Sequence, residues 1–103
     1  MIHISCSMHE RQIIDLCISG HSGSAVKGQD LVCAAISAIA FGTCNALDQM
    51  GSDAEIAVES NSIAVHVKTA DETTEMILKT ALIQMKTVQE TNQQYIDIKQ
   101  MEV

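Results

Sequence analysis

The first residues alternate. Ile2, Ile4 and Cys6 are apolar, and His3 and Ser5 between them are polar, the period of a half-buried strand. The polar residues 7–11 predict a turn. Ile14, Leu16 and Ile18 then alternate with Asp15, Cys17 and Ser19, which predicts a second strand paired with the first as a hairpin. Residues 31–50 change to a helical pattern stopped by Gly51. Its first three turns are apolar on nearly every side, which predicts burial, and Ala34, Ala35, Ala38, Ala40 and Gly42 are small enough to let other backbones pack closely. Ile56 and Val58 alternate with Glu55, Ala57 and Glu59, and Ile63, Val65 and Val67 alternate with Ala64, His66 and Lys68. Ser60-Asn61-Ser62 lies between them, a hairpin turn in which Asn tolerates the left-handed conformation. Thr69-Ala70-Asp71-Glu72 matches a capping box, and Asp71, Glu72 and Glu75 load the following helix start with the favoured sign. Ile77, Leu78, Ala81, Leu82, Met85 and Val88 recur at helical spacing, Thr91-Asn92-Gln93 breaks the helix, and residues 95–101 alternate again. The order β-β-α-β-β-α-β predicts an α+β fold of two layers: a mainly antiparallel sheet of about five strands with two helices on one face.

The whole chain, residues 1–103, reads as a single domain without linker or repeat. A chain of that length buries a modest core, so a homodimer would help it. Hydrophobic residues make up 47%, and Phe41 and Tyr95 are the only aromatics, so the core must be aliphatic. The net charge of −7 argues against nucleic acid or an anionic membrane as partner and suits a basic one. The first residues lack a basic leader, and the longest apolar run, residues 31–41, is shorter than a membrane span and carries Ser37. A cytoplasmic location is therefore expected. Cys6, Cys17, Cys33 and Cys44 are then expected as reduced thiols.

The chemistry concentrates in residues 20–37. Three of the five glycines, Gly20, Gly23 and Gly28, fall in a loop longer than most connections, where they would act as hinges of a mobile lid over a substrate. Asp30 is a good N-cap, which makes Cys33 the third helical residue, in the positive end of the helix dipole where thiolate is favoured. Asp30, Cys33 and Ser37 share one helix face, and His21 precedes them on a segment able to fold back over it. A cysteine in an alanine-rich helix is more often a packed small residue, a loop histidine is more often solvated, and a mid-helix serine often bonds a backbone carbonyl. The alternative is a nucleophilic Cys33 with His21 as general base and then general acid, Asp30 orienting His21 besides capping, and Ser37 positioning the thiol or donating to an oxyanion. Cys6, Cys17, Cys44, His3, His9 and His66 have no such company and read as structural or surface groups. No Cys-x-x-Cys pair, Walker motif or dinucleotide motif occurs, and Asp30 stands where a phosphate would have to sit, so neither metal nor cofactor is expected.

The pattern Gly20-His21, a glycine-rich loop, then Gly28-Gln29-Asp30-Leu31-Val32-Cys33-Ala34-Ala35-Ile36-Ser37 resembles the ribosomal-processing cysteine proteases of bacteria. Ser22 stands where that family more often has a small apolar residue. The resemblance implies a cysteine endopeptidase with a His21–Cys33 dyad. Its substrate would be the basic precursor of large-subunit ribosomal protein number twenty-seven, whose N-terminal extension it removes in support of ribosome assembly. Two rivals stay open on the residues alone: a non-catalytic, ribosome-associated peptide-binding module with Cys33 merely packed, and a thiol redox sensor.

Overall fold

The computed structural model describes residues 1–21, 23 and 30–103. Seven elements follow in the expected order: β1 Ile2–His9, β2 Gln12–Gly20, α1 Leu31–Gln49, β3 Ala54–Glu59, β4 Ser62–Val67, α2 Glu72–Glu90 and β5 Ile96–Glu102. The five strands form one sheet in the order β3-β4-β2-β1-β5. Three of the pairings are antiparallel, and β5 runs parallel to β1 with Ile2 opposite Ile96. That one parallel pair is possible because α2 carries the chain back along the sheet, the crossover that parallel neighbours require.

Both helices cover the face reached by alternate strand residues. Ile2, Ile4 and Cys6 of β1, Leu16 and Ile18 of β2, and Ile63, Val65 and Val67 of β4 meet Val32, Ile36, Ala40 and Leu47 of α1 and Leu78, Ala81, Leu82 and Met85 of α2 in one buried cluster. Among the described residues no helix covers the other sheet face. It carries surface pairs such as His66 Nδ1 with Asp15 Oδ1 at 2.7 Å and His3 Nδ1 with Asp97 Oδ2 at 3.5 Å.

The elements depart from the sequence expectations in physically readable ways. β1 continues to His9, and the turn contracts to Glu10-Arg11, both with positive φ of 50° and 69°. Two consecutive left-handed residues match the right-handed twist of a hairpin, whereas Ser60-Asn61 turns between β3 and β4 with no positive φ. A bulge between Ser7 and Met8 pairs Ser7 with Asp15 but Met8 with Ile13. Ile13, not Ile14, is therefore buried beside Leu16 and Ile18. The extra residue reverses the alternation at that point.

α1 is not buried all round. Val32, Ile36, Ala40, Thr43, Cys44 and Leu47 form its inward stripe, whereas Leu31 is 81% and Phe41 49% exposed. With 19 residues and a mean hydropathy of 1.6, α1 is long and apolar enough to cross a membrane, contrary to the reading of the apolar runs. Uncharged Gly42, Thr43, Cys44 and Asn45 extend it past Phe41, and its inward stripe lies in the protein core. α2 is capped by Asp71 rather than Thr69. The Asp71 carboxylate accepts the Thr74 N–H at 2.7 Å, and the Thr69 hydroxyl donates instead to Asp53. The Thr74 backbone hydrogen bond, then its hydroxyl, holds the Asp71 carboxyl below the usual range. One turn on, Glu75 accepts the Ile13 N–H at 3.0 and 3.3 Å, which ties α2 to the bulged hairpin.

Candidate active site

Asp30 takes extended backbone angles, φ −82° and ψ 96°, and its side chain accepts the Cys33 N–H at 3.0 Å. Its carbonyl accepts the Ala34 N–H at 3.0 Å. Asp30 is thus the N-cap, and Cys33 is the third residue of α1, where the local sequence put both. The bond has a chemical consequence. The N–H of Cys33 itself is occupied by a carboxylate, so an oxyanion formed at Cys33 would have to draw on other donors. The Ser37 hydroxyl qualifies: Ser37 is exposed, and among the described residues its hydroxyl makes no hydrogen bond. Thr43, Thr80 and Thr87, by contrast, each donate to a backbone carbonyl four residues earlier.

His21 arrives from the other side. Gly20 ends β2 with φ +89°, and a Cβ there would lie 2.4 Å from the Met1 carbonyl oxygen. Only glycine permits both the left-handed turn and that approach. The Met1 nitrogen donates to the His21 carbonyl, and the Gly20 N–H donates to the Asn61 carbonyl at 3.2 Å. The start of β1, the end of β2 and the β3–β4 turn are thereby tied together beneath His21. The His21 side chain is exposed, and among the described residues its ring makes no hydrogen bond or ion pair.

These pieces meet in a cleft of about 130 Å³. His21 and Gly20 form one end, Cys33, Ser37 and Phe41 line it along α1, and Ile2, Ile18, Ile36 and Ile63 give it an apolar floor. The β3–β4 turn, Glu59 to Ser62, closes the remaining side. Cys33 and His21 share one cleft. Gly23 is exposed with φ +72° and open space around it. The lid expectation for Ser22 and residues 24–29, including Gly28, lies outside the described residues. Phe41 was readable, since it continues the i, i+4, i+8 stripe of Cys33 and Ser37. Glu59, Ser60, Asn61 and Ser62 had no local signal, because only the sheet brings that hairpin to α1.

The other thiols differ from Cys33. Cys6 and Cys44 are buried, and burial pushes both thiols up, helped at Cys6 by the Glu75 carboxylate. Cys17 is half-buried on the sheet face opposite the helices, away from the cleft lining. His3, His9 and His66 each take a partner outside the cleft. Among the described residues no cluster of His, Cys, Asp and Glu could hold a metal ion.

Comparison with known proteins gives the family and the fold. Residues 1–97 match the family model described as cysteine protease Prp. The ribosomal processing cysteine protease Prp of Staphylococcus aureus is 31% identical over 85 residues, 79% of this chain and 80% of that protein. The protein of the same description from Bacillus subtilis is 44% identical over 39 residues, 38% of this chain and 35% of that protein. The crystal structure of the S. aureus protease with a covalently linked product peptide superposes with a TM-score of 0.92 at 25% identity, covering 97% of this chain and 99% of that one. SMU.848 from Streptococcus mutans shares the fold with a TM-score of 0.82 at 20% identity, covering 100% and 96%.

Proposed function

The chain belongs to the cysteine protease family Prp, and from that premise we propose that it is a ribosomal-processing endopeptidase whose nucleophile is Cys33 and whose general base is His21. The observation that carries this reading is that Cys33, at the capped N-terminus of α1, and His21, beyond the left-handed Gly20, line one cleft. The proposed substrate is the precursor of large-subunit ribosomal protein number twenty-seven. A basic substrate is complementary to a net charge of −7. Two further proposals accompany this one: the reaction takes place in the cytoplasm, where ribosomes assemble, and the enzyme works as a homodimer without cofactor or direct contact to nucleic acid.

The reaction runs in two halves. His21 takes the proton of the Cys33 thiol, and the sulfur attacks the carbonyl carbon of the scissile peptide. The tetrahedral oxyanion is met by the Ser37 hydroxyl, one turn beyond Cys33, together with backbone donors at the start of α1. Protonated His21 gives its proton to the leaving amine, the C–N bond breaks, and the extension stays on Cys33 as a thioester. Water, deprotonated by His21, attacks the thioester, and the carboxylic acid product and the free thiol are restored. Asp30 holds the first turn of α1 in place and, in this reading, stabilises the charge that His21 acquires. Gly20 and Gly23, at φ +89° and +72°, take left-handed backbone that favours glycine on the side where the peptide enters.

The experiment is cleavage of that precursor followed on gels. Cys33→Ala is expected to fold normally, since alanine suits the helix, and to leave the precursor uncut, a loss of at least about 10³-fold in turnover. His21→Ala is expected to lose comparable turnover and to slow alkylation of Cys33 when an uncleavable peptide is bound. Cleavage at the normal rate by Cys33→Ala rejects the assignment. Cys6→Ala, Cys17→Ala and Cys44→Ala are expected to stay within a few-fold of the native rate. Cleavage that persists under strong reductant excludes a redox sensor.

A further inference from the structure

β3 is the free edge of the sheet next to the cleft. It ends at Glu59, which lines that cleft. Half of its N–H and C=O groups point away from β4, as on any edge strand. Edges of this kind are usually blunted by a lysine, a proline, a bulge or a covering element. β3, Ala-Glu-Ile-Ala-Val-Glu, has no lysine or proline, and it pairs with β4 without a register shift.

Its side chains are arranged in two registers. Ile56 and Val58 lie opposite Val65 and Ile63, on the face that the helices cover elsewhere. There they remain 37% and 53% exposed. The apolar floor that begins at Ile63 in the cleft therefore continues onto Val58 and Ile56 as exposed apolar surface. Glu55 and Glu59 lie on the other face, opposite His66 and Ser62. Glu55 pairs with Lys68 at 3.2 Å, a solvent-exposed contact that an incoming cation can replace. Among the described residues Glu59 makes no ion pair.

We propose that β3 is the substrate-docking edge: the ribosomal precursor pairs with it as a sixth, extended strand that feeds the scissile bond to Cys33. The occupant is specified by the edge. Alternate residues of a paired strand fall on opposite faces, so apolar residues settle over Ile56 and Val58. Lysine or arginine residues spaced i and i+4 settle beside Glu55 and Glu59. A second copy of this chain fits poorly. Antiparallel pairing of two β3 strands about Ala57 sets Glu55 of each against Glu59 of the other, like charges directly opposed. The proposal rests on the endopeptidase reading and adds to it the mode and side of substrate entry.

The test uses the precursor of large-subunit ribosomal protein number twenty-seven and a synthetic peptide spanning its extension and scissile bond. At low salt the double variant Glu55→Lys/Glu59→Lys is expected to raise KM about tenfold with kcat within about twofold, and the difference should shrink at about 0.5 M salt, where screening is strong. Glu59→Gln alone, checked by its melting curve, serves if the double variant misfolds, with a KM rise of about threefold. N-methylation of the peptide at successive positions is expected to weaken binding at every second residue, the signature of strand pairing. Unchanged KM in folded variants, or uniform tolerance of N-methylation, overturns the docking edge while leaving the protease reading intact. Dissociation of a dimer by Glu55→Lys/Glu59→Lys, measured by sedimentation, also overturns it, because the edge would then belong to a second copy. Failure of the native protein to cut the precursor overturns the protease reading, and the docking edge with it.

Discussion

Gly20 answers to two demands at once, a positive φ and the near contact of its missing Cβ with the Met1 carbonyl. Gly20→Ala is expected to cost about 1–3 kcal/mol of stability, read as a fall in denaturation midpoint. It should also cost far more turnover than that fall explains, because His21 is the next residue and moves with the displaced strand end. A variant with native turnover would show that the approach of Met1 to Gly20 does not set the histidine. Asp30 presents a related case: its position and neighbour were legible because capping is a local rule that reaches only three residues. The role proposed for its carboxylate toward His21 follows from no such local rule, because the two residues are brought together only by the fold.

Element order followed from periodicity, because each strand and helix keeps its own spacing of apolar residues over at least one full turn or two pleats. Boundaries did not follow where tertiary contacts override local preference. The bulge at Ser7 and Met8 moves Ile13 inward at the expense of Ile14, and a one-residue insertion leaves no mark on composition. Asp71 displaced Thr69 as cap because Thr69 is engaged by Asp53, a residue in another segment. Asp71 supports a pH prediction. Its folded-state carboxyl is held below the ordinary value by the Thr74 N–H. The capping contribution is therefore complete above the usual aspartate range and is lost as pH falls through the lowered value. Asp71→Ala is expected to lower the melting temperature by about 3–8 °C at neutral pH. The gap between the two proteins should close toward acid, as followed by circular dichroism. A gap that widens on acidification would contradict the cap. The β3–β4 turn at the cleft was the least legible element of the site. It lies 26 residues beyond Cys33, counting Glu59, and only the sheet order β3-β4-β2 brings it there.

At the scale of the molecule, an acidic surface and a small aliphatic core coexist with several exposed apolar side chains, among them Leu31, Met50, Met76 and Ile83. A groove between the helices, floored by Ala38, Gly42, Ala46 and Ala81, adds to that surface. Sedimentation velocity across a hundredfold range of concentration is expected to give a dimer, unchanged by Glu59→Gln. A monomer at every concentration would reject the homodimer proposal.

The parallel pairing of β1 with β5 also bears on how the chain is made. Ile2 and Ile96 are partners separated by 94 positions, so β1 cannot complete its hydrogen bonding until β5 has been synthesised. At about 5–20 residues per second, the outer edge of β1 waits on the order of 5–20 s for its neighbour. During that interval the nascent chain presents the strand that will carry the floor of its own cleft to any other extended segment nearby. Chaperone dependence during expression, and recovery of soluble protein when translation is slowed by cold, are expected from a strand that must wait for a partner so far along the chain.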